Sequence, residues 1–335
     1  MWQDSGIYFD MPLSNIQMGL GEKIMDKLDS IEDTKGNAGD HGQLIITNLR
    51  IIWFSVAFPR INLGIGYNAI IDITTKTINS AQGHPCAVLY LLTIYQNSRY
   101  EFIFTNHKNK SARHCTSVIG IYRAYNSTKL YREVKLRGGF IQNKRLNILP
   151  KEVVNSTTHG VWNLSTEQGN VGTFIVTNIR TVWFADMNNQ FNVSIPYLAI
   201  NNISIKPSKF GPTLVIISKE SQNGYILGFR VDPVEKLDIL LKEISALKAA
   251  YDKQPILGVE YTSNSESQTS ETVKPEYSWD VQENYEILPT AFNLYSTDNE
   301  NVKKKPTYDP CLGLAIEELR EGFSTSKSWS SLFNI

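Results

Sequence analysis

Cysteine is scarce and its spacing pairs nothing. Cys86, Cys115 and Cys311 make an odd three with no C-x-x-C among them, which argues against a disulfide framework and for a reducing compartment. Long apolar runs are missing as well. The longest, IIWFSVAF at 51–58, falls far short of the roughly 20 residues that a membrane-spanning helix requires. The opening MWQDSGIYFDMP carries acids where a secretory leader has an apolar segment, and neither end carries a lipidation signal. These absences predict a cytoplasmic chain whose contact with membrane is peripheral.

Signatures of chemistry are equally thin. Gly64-Ile-Gly66 lacks the rest of a dinucleotide fingerprint, no G-x-x-x-x-G-K-[ST] occurs, and no serine stands in a nucleophile elbow. Five histidines (His41, His84, His107, His114, His159) are scattered without zinc spacing. Asp33, Asn37 and Asp40 faintly suggest a calcium loop, but Lys35 stands where such a loop needs an oxygen ligand. The expectation is a protein that is not an enzyme, with no catalytic residue, no metal and no cofactor.

The net charge of zero hides a division. Residues 256–335 hold 6 Lys/Arg against 13 Asp/Glu, leaving 27 against 20 in residues 1–255. The body is basic and the tail acidic. Residues 261–309 are rich in Ser, Thr, Asn, Glu and Lys with no sustained period, as in a flexible acidic arm. Beyond it CLGLAIEELREGF regains a helical pattern through Leu312, Ile316, Leu319 and Phe323. That pattern predicts either a docking helix for a partner or a helix packed back on the same chain.

What is abundant is repetition. ITNLRIIWFS at 46–55 returns as VTNIRTVWFA at 176–185, and 42–73 aligns with 172–203 without a gap. Gly42/Gly172, Thr47/Thr177, Asn48/Asn178, Arg50/Arg180, Trp53/Trp183, Phe54/Phe184 and Tyr67/Tyr197 are identical pairs. A spacing of 130 is too long for a solenoid and fits a whole small domain. Within each copy, β-rich runs follow one another around turn signals: QLIITN, LRIIWFS, GYNAIIDITTK, AVLYLLTIY and RYEFIFTN, then their counterparts up to GYILGFRVD. An amphipathic helix closes each. In the second, Asp232-Pro233-Val234-Glu235 predicts an N-cap acid, a proline at the first helical position and a capping-box glutamate. A stripe through Val234, Leu237, Leu240, Ile244, Leu247 and Tyr251 follows. In the first, Val118, Tyr122 and Tyr125 begin a stripe that Gly120 weakens.

The predicted fold is mainly β with C-terminal helices (α+β). It comprises two tandem pleckstrin-homology-like (GRAM-like) barrels, each closed by its own amphipathic helix, plus the acidic arm. The expected boundaries are 1–137 for the first domain, 138–255 for the second, 256–310 for the flexible linker and 311–335 for the docking helix and tail.

Ten basic residues, from Lys108 through Arg123, Lys129, Arg132, Lys144 and Arg145, face only Glu133 between 108 and 145. Such a run is commonly a solvated face. Its functional reading is contact with an anionic membrane, at roughly 1 kcal/mol per cation near the surface, so that a tandem gains by avidity. Nucleic acid is not expected, since no recognised motif or aromatic platform lies amid the cations. Arg50 and Arg180, after the Thr-Asn turn, read either as structural partners of a carboxylate or as headgroup contacts. Trp53 and Trp183 fit core positions.

DSIEDTKGN (29–37), TNLRIIW (47–53), EFIFTN (101–106), GVWNLS (160–165), FNVSIPYL (191–198), SKFG (208–211), VDPVEKL (231–237) and GLAIEELREGF (313–323) closely resemble the fifth Bardet–Biedl syndrome protein family, the tandem pleckstrin-homology-like subunits of the BBSome. The resemblance runs from about residue 22 to 258 and resumes at 312–323. It implies a non-enzymatic subunit of a coat-like adaptor that binds phosphoinositide-containing membrane. Such an adaptor traffics membrane proteins to and from the cilium or flagellum alongside intraflagellar transport. Its implied partners are the other BBSome subunits, an Arf-like small GTPase and ciliary membrane cargo, at the basal body and the ciliary membrane. The alternative is a scaffold whose barrels contact only protein. One departure from lipid-reading pleckstrin domains stands out: the first hairpin lacks the K-x(n)-R-x-R cluster. Asp29 to His41 is acidic and glycine-rich, and Glu167-Gln-Gly-Asn is no better. The lipid-binding candidates are therefore Arg123, Lys129, Arg132, Lys144, Arg145, Lys206 and Lys209, followed by Arg50 and Arg180.

Overall fold

The β-rich runs of each copy form one strongly bent antiparallel sheet. The computed structural model describes residues 4–79, 85–106, 112–164, 169–220, 224–262, 306–309 and 314–317. The first copy opens with β1 (Ile7–Phe9) and the helical turn α1 (Leu13–Ile16). Then come β2 (Ile24–Asp33), β3 (His41–Thr47), β4 (Arg50–Ser55), β5 (Asn62–Gly66), β6 (Ile70–Asn79), β7 (Pro85–Tyr95), β8 (Ser98–Asn106) and helix α2 (Arg113–Ser127). The second copy opens with β9 (Lys135–Leu136) and the hairpin β10 (Ile141–Gln142) and β11 (Arg145–Leu146). It continues with β12 (Val154–Asn163), β13 (Asn170–Thr177), β14 (Arg180–Ala185), β15 (Asn192–Pro196), β16 (Ile200–Ser208), β17 (Gly211–Ser218), β18 (Ile226–Val231) and helix α3 (Glu235–Lys253).

The strand orders are β1-β5-β4-β3-β2-β8-β7-β6 and β16-β17-β18-β12-β13-β14-β15-β9. These are one order repeated. The long strands β2 and β12 make the bend. Each carries register shifts at two points, between Ile24/Asp26 and Asp29/Ile31 in β2 and at the equivalent places in β12. Bulges of this kind turn a strand out of its plane. β2 therefore pairs with β3 along one edge, while Ile31, Glu32 and Asp33 pair on the other edge with β8. In β12 the residues that pair on the other edge, with β18, are Val161 to Asn163.

A tryptophan pins each bend. The Trp53 indole N–H donates to the Ile31 carbonyl at 2.8 Å, and Trp183 to Val161 at 2.9 Å. Both rings are fully buried, as their core pattern predicts. The repeated glycine beside each has a steric reason. A Cβ on Gly42 falls inside the Trp53 indole, and one on Gly172 collides with the Phe184 carbonyl.

Each sheet stays open at its edges, and the helix covers the gap. Cys115, Val118, Ile121 and Tyr125 of α2 are buried, as are Leu237, Leu240, Ile244 and Tyr251 of α3. Tyr67 meets Tyr125 at 5.2 Å between ring centroids, and Tyr197 meets Tyr251 at 5.9 Å. Gly120 interrupts the stripe of α2 because the ring of Tyr261 lies where its Cβ would be. The start of α3 differs from the capping box read in the sequence. The helix begins at Glu235, its N-cap is Val234 with no side-chain cap, and the Asp232–Pro233 peptide is cis. Asp232 instead accepts a hydrogen bond from Arg230 at 3.2 Å.

Two boundaries also move. Strand β9 lies before residue 138 yet pairs with β15 of the second sheet. Residues 256–262, assigned by composition to the arm, form a strap with Leu257 and Val259 buried in the core. Gly258, at φ +71°, lies on the ring of Tyr131, and Gly21 touches Pro255. The two copies thus share one continuous core. In the tail, β19 (Pro306–Asp309) and β20 (Leu314–Glu317) pair as an antiparallel hairpin. This corrects the expected docking helix at 311–323. Ile316 sits in β20 opposite Thr307, while Leu312, Leu319 and Phe323 lie outside the described residues.

Gly42→Ala should destabilise the protein by about 1–3 kcal/mol, the usual cost of overpacking a core, and Gly172→Ala by at least as much because backbone cannot yield. Urea unfolding followed by tryptophan fluorescence measures both, and unchanged midpoints would contradict the packing described.

Candidate anion-binding surface

Arg50 and Arg180 begin β4 and β14, directly after the Thr-Asn turn, and both are fully buried. In the first copy the Arg50 Nε donates to Glu22 Oε1 at 2.8 Å and its Nη2 to Glu22 Oε2 at 3.2 Å. Its remaining protons reach the carbonyls of Asn15 at 2.9 Å and Gln17 at 3.1 Å. In the second copy Arg180 makes the same fork onto Glu152, at 2.7 and 3.0 Å, and reaches the Asn147 carbonyl at 3.0 Å and Ser194 Oγ at 3.2 Å. The turn supplies the rest. Thr47 and Thr177 accept the N–H groups of Arg50 and Arg180 at 2.9 and 3.0 Å, and their hydroxyls lie 2.9 Å from the same glutamates. Tyr67 and Tyr197 donate to the Thr47 and Thr177 carbonyls at 2.8 and 2.7 Å. Burial pushes both phenols well above their ordinary range.

These contacts correct two of the lipid-binding candidates. Arg50 and Arg180 have every guanidinium nitrogen in use and no solvent access, so neither is a headgroup contact. Arg132 is a third correction. It is 4 % exposed, its guanidinium lies 3.8 Å from the Tyr125 ring centroid, and it donates to the Tyr125 carbonyl at 2.5 Å and to Thr128 Oγ1 at 3.0 Å. A longer contact of 3.5 Å reaches the Leu257 carbonyl in the strap. Arg132 is thus a joint between the copies.

The other candidates are exposed, and the structure distributes them. Arg123 lies on α2 and Lys129 on the turn that follows it. Lys144 and Arg145 stand together on the β10–β11 hairpin, whose tip residues Asn143 and Lys144 have φ of 50° and 59°. The hairpin is seated by Phe140, Ile141 and Leu146 on Ile175, Val182 and Phe184, on the outer face of β13 and β14. Lys206 and Lys209 flank the β16–β17 turn, with Lys209 Nζ 4.9 Å from the ring centroid of the exposed Phe210. No candidate cation on either hairpin pairs with a carboxylate among the described residues. The first hairpin behaves as its acidic sequence predicts. Lys35 is held by Glu101 at 2.8 Å, Asn37 donates to Asp33 at 2.7 Å, and Gly39 N–H donates to Glu32 at 3.0 Å. The matching loop of the second copy, 165–168, lies outside the described residues. Cys115 is buried, and burial pushes its thiol up to about 11.

Known proteins carry the same duplication. The Bardet-Biedl syndrome 5 protein N-terminal PH-like domain matches residues 22–127, and the second PH-like domain of that protein matches residues 135–261. The chain is 49 % identical over 334 residues to the BBSome complex member BBS5 of Danio rerio, covering 98 % of this chain and 97 % of that one. The chain belongs to the BBS5 family. The BBSome complex member BBS5 of Homo sapiens is 47 % identical over the same span, with the same coverage. BBSome complex member bbs-5 of Caenorhabditis elegans is 40 % identical, covering 98 % of this chain and 96 % of its own. The BBS5 fold of two tandem PH-like domains is the fold seen here.

The sequence carried a signal for Glu22 and Glu152 that the repeat alignment did not reach. They obey the same offset of 130 but lie outside the 42–73 window, before the bent strands. Phe210, beside Lys209, was hidden by its apolar type among polar neighbours.

Glu152→Leu should destabilise the second domain by about 3–5 kcal/mol, because it leaves the Arg180 guanidinium buried without a counter-charge. The double variant Glu152→Leu/Arg180→Met should recover at least half of that loss. Chemical unfolding of the three proteins is the measurement, and a single-variant loss under about 1 kcal/mol is incompatible with the buried fork.

Proposed function

We propose that this chain is a non-enzymatic subunit of a BBSome. In that role it joins other BBSome subunits and helps move membrane proteins to and from the cilium. Its second domain grips phosphoinositide-containing membrane through exposed cations. The observation that supports the membrane contact most directly is the pair of hairpins at 141–146 and 206–212. Each presents two unpaired cations, and one adds the exposed ring of Phe210. Such a grip is weak by itself, at roughly 1 kcal/mol per cation close to an anionic surface, and fits a subunit multiplied within a coat. An Arf-like small GTPase and membrane cargo then act through the assembled complex, at the basal body and ciliary membrane. The domain boundaries that fit this role are near 134 and 262, with the strap counted in the second domain.

The acidic, internally bonded first hairpin favours a second reading, in which the barrels contact only protein and bind no lipid. Flotation with phosphatidylcholine vesicles, with and without phosphoinositide, separates the two. The full chain should float only with phosphoinositide, and less so at high salt as counter-ions screen the contact. Lys144→Glu/Arg145→Glu and Lys206→Glu/Lys209→Glu should each reduce the floated fraction several-fold. Failure of the unaltered chain to float under any composition would leave the scaffold.

A further inference from the structure

The β10–β11 hairpin leaves an open cleft of about 700 Å³ between itself and the outer face of β12, β13 and β14. Lys144 and Arg145 stand on one side of it, with Thr157, His159 and Thr173 on the sheet side. The floor is apolar: Leu146, Ile148, Val154, Ile175 and Phe184. Ile148 is 57 % exposed and Val154 39 %, so the floor carries apolar surface that the hairpin does not cover.

The hydrogen bonds inside the cleft have a direction. The Thr173 hydroxyl donates to Asp186 Oδ1 at 2.8 Å. That hydroxyl has one proton, so the contact of 3.0 Å between Thr173 Oγ1 and His159 Nδ1 is made by a proton on Nδ1. The ring is therefore fixed by its Nδ1, and its Nε2 is left for another partner. Asp186 is the single carboxylate lining the cleft, against two cations, and Thr173 occupies one of its oxygens.

The first domain serves as an internal control. At the positions that an offset of 130 equates with His159 and Thr173 stand Asp29 and Gln43, which bond to each other at 2.5 Å. The outer face there is closed by Met11 on Ile45 and Ile52, with Tyr8, Ile16 and Met18 around them. One copy is plugged and acidic in this place, and the other is open and cationic.

We infer that this cleft is a binding site for a phosphate-bearing amphiphile. Lys144 and Arg145 take the phosphate, His159 Nε2 orients the polar head, and Ile148 and Val154 take the apolar part. The inference deepens the membrane reading above and rests on the same two hairpin cations. The cleft lies on the outer face of the second sheet. The phosphate has two sources, a lipid headgroup or a soluble inositol phosphate.

The test titrates the full chain with dioctanoyl phosphatidylinositol phosphate below its micelle concentration, and separately with the free inositol phosphate headgroup, by calorimetry and amide chemical shifts. Lys144→Glu/Arg145→Glu should weaken binding at least about tenfold, as loss of charge-assisted contacts does. Thr157→Trp, which fills the cleft without changing charge, should do the same, and Lys242→Glu, a charge reversal at an exposed position of α3, should leave affinity unchanged. Tighter binding of the dioctanoyl lipid than of the headgroup assigns the cleft to lipid. Equal binding assigns it to the soluble phosphate. Binding that survives both cleft variants, or that is absent from the unaltered chain, overturns the site. Vesicle flotation retained without cleft binding would overturn the cleft and leave the membrane reading standing. Headgroup binding without flotation would do the reverse.

Discussion

Each half of this molecule is organised around one buried ion pair, Arg50 with Glu22 and Arg180 with Glu152. Taking two charges out of water is costly, and only good geometry and full hydrogen bonding offset the cost. Both conditions hold in each copy. Every nitrogen of the guanidinium has a partner: the glutamate 28 residues upstream and carbonyls 33 to 35 residues upstream, with the Ser194 hydroxyl added in the second copy. A hydrophobic pair would fill the same space without direction. The fork instead fixes the register of β4 against β3 and the point at which β2 starts, and so fixes where the bulges and the tryptophan fall. The pair is therefore read as a device for specifying one fold, repeated with the fold.

Where the two halves differ, the difference lies outside that framework. The framework residues superimpose by the offset of 130: Glu, Thr, Asn, Arg, Trp and Tyr keep their identity, and the arginines keep the glutamate fork and one carbonyl while Arg50 adds the Asn15 carbonyl and Arg180 adds Ser194 Oγ. The outer sheet faces have diverged. The first is covered by α1 and the chain around it, the second by a two-stranded hairpin bearing Lys144 and Arg145. After duplication, a surface patch is free to change while a buried polar network is not, since removing one member leaves the others unsatisfied. The second copy carries Lys144 and Arg145 where the offset of 130 places Ser14 and Asn15 in the first, and His159 where the first has Asp29.

Much of this was legible in the sequence. The repeat, the strand runs around Thr-Asn turns and the apolar stripe of α3 are periodic signals, and they survive because the core enforces them. The tryptophans were placed correctly because they fall on alternating apolar strands. What misled was charge. Arg50, Arg180 and Arg132 look like any other cations in a string of letters, and their burial depends on Glu22, Glu152 and Leu257, which lie 28, 28 and 125 residues away. The capping box at Asp232 failed for a local reason: the helix starts at Glu235, two residues later than a capped one would, and Asp232 accepts from Arg230 instead. The strap at 256–262 was lost to composition: its buried Leu257 and Val259 stand at the edge of a polar tract that dilutes them. His159 was seen as one of five scattered histidines, because its partners Thr173 and Asp186 are brought to it by strand pairing.

The joint between the domains decides how the two can act together. A flexible linker would let each barrel search independently, and the gain from a second contact would fall with linker length. Here the connection is a 3₁₀ turn, Lys129–Tyr131, held from one side by Arg132 on Tyr125 and from the other by the strap. Tyr131 is buried between them, donating to the Pro150 carbonyl at 2.5 Å. The barrels therefore meet any surface as one body. Avidity in such a body is set by geometry: two patches count together only if both reach the same plane, and otherwise one barrel is free for protein. Both copies are net basic, with 15 Lys/Arg against 11 Asp/Glu in residues 1–137 and 12 against 9 in residues 138–255. What differs is the placement of that charge, and the joint of Tyr131, Arg132 and the strap holds one arrangement relative to the other.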